Sequence, residues 1–148
     1  MRGMAQATTA PLPWNGREVT RICIDFAFTL DLWPYDAGVR IEAPFVLRTA
    51  AGEDEFDPEA PHEHLAGALT LFGKTIDRAE YSDHGTLEIV FTDGVTRYQA
   101  GSGDGYEAWT LHGPGDLEII SLGNHSVVQR MEHEIIIPIP EHRIDDAG

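Results

Sequence analysis

Between Thr86 and Leu122 the chain runs in short alternations of apolar and polar residues, each closed by a turn dipeptide. A sequence punctuated this way has few options besides an antiparallel sheet, because period-two runs are too short for helices and their turns reverse the chain. Thr86–Thr92 reads as one strand, Asp93-Gly94 as a turn and Val95–Ala100 as the returning strand. Asp-Gly suits a two-residue type I′ loop, whose residues both need positive φ. That loop would pair Phe91 with Thr96, Ile89 with Tyr98 and Leu87 with Ala100, leaving Glu88, Val90, Arg97 and Gln99 on the opposite face. Tyr106–Leu111, the turn Gly113-Pro114-Gly115-Asp116 and Leu117–Ile120 extend the pattern into a meander.

Upstream, Thr20–Trp33 alternates without a break, which predicts one long strand with Ile22, Ile24, Phe26, Phe28, Leu30 and Leu32 on its buried face. Cys23 falls on the more polar face between Arg21 and Asp25, whose charges cancel, so an inert thiol is expected. Val39–Glu42 begins a further strand, and Pro44 marks an edge or a bulge before Phe45-Val46-Leu47. One helix is expected between about Pro61 and Phe72, from the i, i+3, i+4, i+7 stripe Leu65, Ala68, Leu69 and Phe72. Gly73 stands where a helix C-terminus favours glycine. Ile76–Tyr81 reads as another strand, and Val127-Val128 opens a last one. Prolines 138 and 140 restrict Ile135–Ile139 to an edge or a wrapping segment, docked on its own domain or on a second copy in a homodimer.

The organisation expected is a flexible lead over 1–17 with Trp14 tucked onto the domain, one domain over 18–130 and an extended tail over 131–148. The fold class is α+β: a mostly antiparallel twisted sheet of about six to eight strands, barrel- or roll-like, with one helix on a face.

Charge narrows the function. Lys74 and nine arginines oppose 25 acids, for a net charge of −15. Binding a phosphate backbone needs a basic footprint, and the chain has no Lys/Arg cluster, so nucleic acid and anionic membranes are excluded as partners. A basic protein is the partner such a chain attracts at long range, although plain solubility also explains the charge. The acids concentrate in Glu53, Asp54, Glu55, Asp57, Glu59 and Glu63, with no Lys or Arg between Arg48 and Lys74. A solvated face is the ordinary reading of such a run, and an acidic docking surface is the functional one. Met1–Ala10 lacks the apolar core of a signal peptide and no run reaches the ~20 apolar residues of a membrane span, which points to the cytoplasm.

Constellations for chemistry are sparse. Gly73-Lys74-Thr75 is not a phosphate loop, since Ala68 replaces the first glycine and the order is helix, glycine, strand. A single cysteine allows neither an internal disulfide nor a thiolate cage. His62 and His64, two apart on a helix, diverge; His133 and His142 would join them only through tertiary folding, so no metal and no cofactor is assigned. No Gly-x-Ser-x-Gly elbow and no Cys-His set occurs, so no catalytic residue is assigned either. The remaining candidate is a pocket of Tyr98, Tyr106, Glu107, Trp109 and His112, with Glu107 half-desolvated beside Trp109, against the commoner reading of aromatic strand residues as core.

Glu42-Ala43-Pro44-Phe45, Asp57-Pro58 before a Leu-rich helix, Phe91-Thr92-Asp93-Gly94 and Tyr106-Glu107-Ala108-Trp109-Thr110-Leu111-x-Gly113-Pro114-Gly115 form a set. That set, over Val19–Ser121, resembles a family of small bacterial proteins known only as a domain of unknown function. The resemblance brings no catalytic residue with it. A looser likeness links the Tyr-Glu-x-Trp strand to immunity proteins of bacterial toxin systems. The expectation is therefore a non-enzymatic binding protein, an immunity-like inhibitor with an acidic docking surface. The alternatives are a small-ligand protein or modest enzyme around Glu107 and Trp109, and a homodimer built through its tail.

Overall fold

In the computed structural model, which describes residues 9–34, 36–99, 109–113, 117–122, 126–131 and 134–136, the strands fall into two antiparallel sheets. The first half of the chain gives β1 (Thr9–Leu12), β2 (Val19–Ile24), β3 (Phe28–Leu32), β4 (Ala37–Ile41), β5 (Phe45–Thr49) and β6 (Gly52–Phe56). A 3-10 helix (His62–Leu71) follows, then β7 (Ile76–Ser82), β8 (Leu87–Phe91) and β9 (Thr96–Gln99). β10 (Trp109–Gly113), β11 (Leu117–Leu122), β12 (Ser126–Met131) and β13 (Glu134–Ile136) complete it. One sheet has the order β1-β7-β8-β9-β5-β6 and the other β13-β12-β11-β10-β4-β3-β2. The single sheet of six to eight strands is thus replaced by a six-stranded and a seven-stranded sheet. Their inner faces share one hydrophobic core, where Phe28 and Leu30 of one sheet meet Phe45 and Ile89 of the other. Phe28 and Phe45 lie with ring centroids 5.3 Å apart across that interface.

The long alternating run from Thr20 does not stay one strand. It folds back on itself as the β2–β3 hairpin, with Ile22 opposite Leu30 and Ile24 opposite Phe28. Asp25 causes the reversal: its Oδ1 accepts the Ala27 N–H at 2.8 Å, an Asx turn that a hydrophobic alternation does not reveal. Phe26, expected on the buried face, is instead 90% exposed at the hairpin tip, and Cys23 is exposed on the outermost strand of its sheet. Pro44 has a different role from the one expected. It lies where the chain leaves β4 in the seven-stranded sheet and enters β5 in the six-stranded one. The meander likewise divides, with β8 and β9 in one sheet and β10 and β11 in the other.

The 88–97 register is shifted by one residue. Gly94 N–H donates to Phe91 O at 2.9 Å and Phe91 N–H to Val95 O at 2.8 Å, which closes a three-residue loop with Gly94 at φ +91°. That is a type I turn followed by a left-handed glycine, not the two-residue loop expected from Asp-Gly. Val90 therefore faces Thr96 and Ile89 faces Arg97. A one-residue slip exchanges the faces of a strand, so Arg97 turns into the core and Tyr98 turns away from it.

The turn is also pinned electrostatically. Lys74 Nζ and the Val95 N–H both donate to the Asp93 carboxylate, and they hold its pKa below the usual 3.8, the lysine contributing most. A lowered folded pKa gives stability that is complete above the unfolded value and is lost as pH falls through the folded one. Asp93→Asn is therefore expected to lower the urea midpoint at neutral pH, with the difference from wild type closing as pH falls below the ordinary carboxylate value and through the lowered folded one. A gap that persists undiminished in acid would show that the carboxylate is not the stabilising group.

The helix differs in kind from the one expected. Its buried residues are Leu65, Ala68 and Leu71, while Leu69 and Phe72 are 44% and 61% exposed. Three residues per turn align i, i+3 and i+6, so the α-helical stripe ending in Leu69 and Phe72 does not form. Gly73 does take the left-handed conformation expected after the last turn, at φ +85°. Gly67 lets the helix sit on β6, since a Cβ there would stand 3.0 Å from Phe56 Cζ.

Residues 9–12, within the segment read as a lead, form β1 against β7, and Trp14 is buried as expected. At the other end β13 lies on the edge of its sheet against β12, and Ile137–Ile139 fall outside the described residues.

Candidate functional site

The six acids of the candidate surface are placed by three consecutive elements. Glu53, Asp54 and Glu55 belong to β6, which pairs with β5 and closes one edge of its sheet. Asp57 shapes the next turn by accepting the Glu59 N–H at 2.9 Å on Oδ1, and Glu63 stands in the first turn of the 3-10 helix. All six are exposed. Arg48, directly across from Glu53, donates to it through Nε at 2.6 Å. Charges on an edge strand also have a structural use: they discourage another strand from pairing there.

Of the second candidate set, the three described members, Tyr98, Trp109 and His112, stand apart from one another. Trp109 lies on β10 and is fully buried, its Nε1–H donating to Gly85 O at 2.8 Å and its ring edge-on to Tyr81 at 6.1 Å. Tyr98 lies on the other sheet and on the face opposite the inward-pointing Arg97. Tyr106 and Glu107 fall outside the described residues. His112 is exposed, with its ring over Gly38, where a Cβ would meet Cε1 at 2.7 Å and Leu30 O at 2.7 Å. Beside it Leu12, Trp14, Leu111 and Ile119 line a cavity of about 30 Å³. That is room for a water or two, far below the roughly 300 Å³ of a small-molecule site.

His62 and His64 are exposed at the start of the helix, and His133 and His142 lie outside the described residues. Among the described residues no three His, Cys, Asp or Glu side chains stand close enough to hold a metal ion, and no helix is long and apolar enough to cross a membrane.

Two features escape the sequence reading. Arg97 is fully buried with its guanidinium carbon 5.0 Å from the centroid of the Phe45 ring. Burial pushes its pKa down from 12.5 to about 9, which still leaves it charged at neutral pH. The three-residue alternative for Thr92-Asp93-Gly94 was the signal that would have found it. The exposed apolar residues Trp33, Leu69 and Phe72 are the other feature.

Fold and site together define a two-sheet antiparallel β protein with an acidic edge strand. The chain belongs to the Family of unknown function (DUF6188), which matches residues 10–128. No curated protein and no solved structure matches it.

Proposed function

We propose that this chain is a non-enzymatic cytoplasmic binding protein, an immunity-like inhibitor that docks a basic protein on the acids from Glu53 to Glu63. One observation carries the reading: those six acids are all exposed on consecutive elements from β6 to the helix, with no Lys or Arg between Arg48 and Lys74, and Arg48 offsets only Glu53. Such a surface raises the rate of encounter with a cationic partner and does so less as salt is added.

Binding of poly-L-lysine, followed by calorimetry at low and high salt, tests this. A variant with the six acids changed to their amides is expected to bind about tenfold more weakly, equivalent to 1.4 kcal/mol. A control with six other acids neutralised, Glu18 and Asp77 among them, keeps the same net charge as that variant and should bind much as wild type does. Equal losses in both variants, or binding indifferent to salt, would leave only a uniformly acidic protein.

A further inference from the structure

We infer that Trp33, Leu69 and Phe72 form the apolar anchor of the docking surface, and that its occupant is a basic amphipathic segment of the partner. This rests on the docking function proposed above and names where its binding energy comes from.

The backbone gathers these three residues. Phe72 N–H donates to Leu69 O at 3.0 Å, so the two side chains sit one 3-10 turn apart on one face of the helix. Gly73 N–H then donates to Val19 O at 2.7 Å, while Trp33 N–H donates to Glu18 O at 2.9 Å. Trp33 and the Phe72-Gly73 pair thus flank one dipeptide, Glu18-Val19, from opposite sides, about 10 Å apart at two strand spacings. Trp33, Leu69 and Phe72 are 56%, 44% and 61% exposed. Phe26, the remaining exposed large apolar residue, stands at the far end of the β2–β3 hairpin and is not part of the group.

Charge selects the occupant. The two cations nearest the group are already engaged, Arg17 by Asp36 and Lys74 by Asp93. Elsewhere among the described residues Arg21, Arg40, Arg48 and Arg78 are each ion-paired, and Arg97 is buried. Of the docking acids only Glu53 is ion-paired, by Arg48, which leaves Asp54, Glu55, Asp57, Glu59 and Glu63 uncompensated among the described residues. Glu63 shares the helix face of Leu69 and Phe72, about 12 Å from the first and about 18 Å from the second at a rise of about 2.0 Å per residue. A second copy would bring another −15 to the contact, and an anionic membrane would be repelled in the same way. A basic segment with an apolar side satisfies both parts. Interfaces of this kind take most of their affinity from a few large apolar or aromatic anchors, with charge setting the encounter rate.

The probes are two helical peptides of equal charge, one of leucine and lysine and one with serine in place of leucine. Wild type should bind the Leu/Lys peptide at least about tenfold more tightly. Leu69→Ser/Phe72→Ser should abolish that preference while its affinity for the Lys/Ser peptide stays unchanged; Trp33→Ser, on a different element, should reduce the preference independently. The substituted positions are exposed, and unchanged unfolding midpoints would confirm that the variants fold. No preference in wild type, or a preference that survives both variants, overturns the anchor. If the six-acid variant binds the Lys/Ser peptide as wild type does, the acidic docking reading fails instead. A wild-type dimer in sedimentation that Leu69→Ser/Phe72→Ser converts to monomer would give the patch to a second copy and overturn the basic occupant.

Discussion

Trp109→Ala is expected to lower the free energy of unfolding by about 3–5 kcal/mol, the range for truncating a large aromatic in a packed core. The ring is fully buried and makes an edge-on contact with Tyr81, so its removal leaves a cavity between the sheets. A further loss comes from the indole N–H, which donates to Gly85 O in the turn joining β7 and β8 of the opposite sheet. The same side chain therefore fills the core and ties one sheet to a turn of the other. Trp109→Phe separates the two contributions. It keeps most of the ring and deletes the donor, and should cost about 1–2 kcal/mol. Urea unfolding followed by circular dichroism measures both. An alanine variant within about 1 kcal/mol of wild type would mean that Trp109 is not a core residue.

Strand content was legible because alternation is a local property. β4, β5, β7, β8 and β11 lie close to where the apolar runs place them, and the buried Trp14 and the left-handed Gly73 follow from nearby signals. What failed was whatever depended on a choice between two turns. Asp25 offers a side-chain oxygen to Ala27, and that single bond converts one predicted strand into a hairpin. Thr92-Asp93-Gly94 closes a three-residue loop in preference to the two-residue one, and every side chain on β9 changes face. The helix shows the same limit. Leu65, Ala68 and Leu69 fit an α-helical stripe, yet Leu65, Ala68 and Leu71 fit a 3-10 face as well, and the local pattern does not decide between them. Division into two sheets could not be read at all, because it depends on which strands pair across long separations. The acidic run was legible as composition, but its position on an edge strand was not.

Arg97 is where the register error has its largest energetic consequence. Arg97→Ala is expected to cost about 2–5 kcal/mol, as for other large buried side chains cut back to alanine. Its guanidinium lies over the Phe45 ring, and that contact disappears with it. The sharper experiment is Arg97→Lys. Arginine starts high enough that burial brings its pKa only to about 9, so it remains a cation at neutral pH. Lysine starts near about 10.4, and the same burial would carry its folded value well below that unfolded one. In the lysine variant the unfolded chain then binds a proton that the folded chain has lost, over the interval between those two values. Stability of the variant must rise with pH across that interval, because the unfolded state holds more protons there. The gap in urea midpoint between Arg97→Lys and wild type should accordingly be wider at about pH 6 than at about pH 9. If position 97 faced solvent, as a two-residue turn would require, neither charge form would be penalised and the gap would be small and flat. A wide, pH-dependent gap is the thermodynamic signature of the three-residue turn at Gly94, read through the side chain that the turn sends inward.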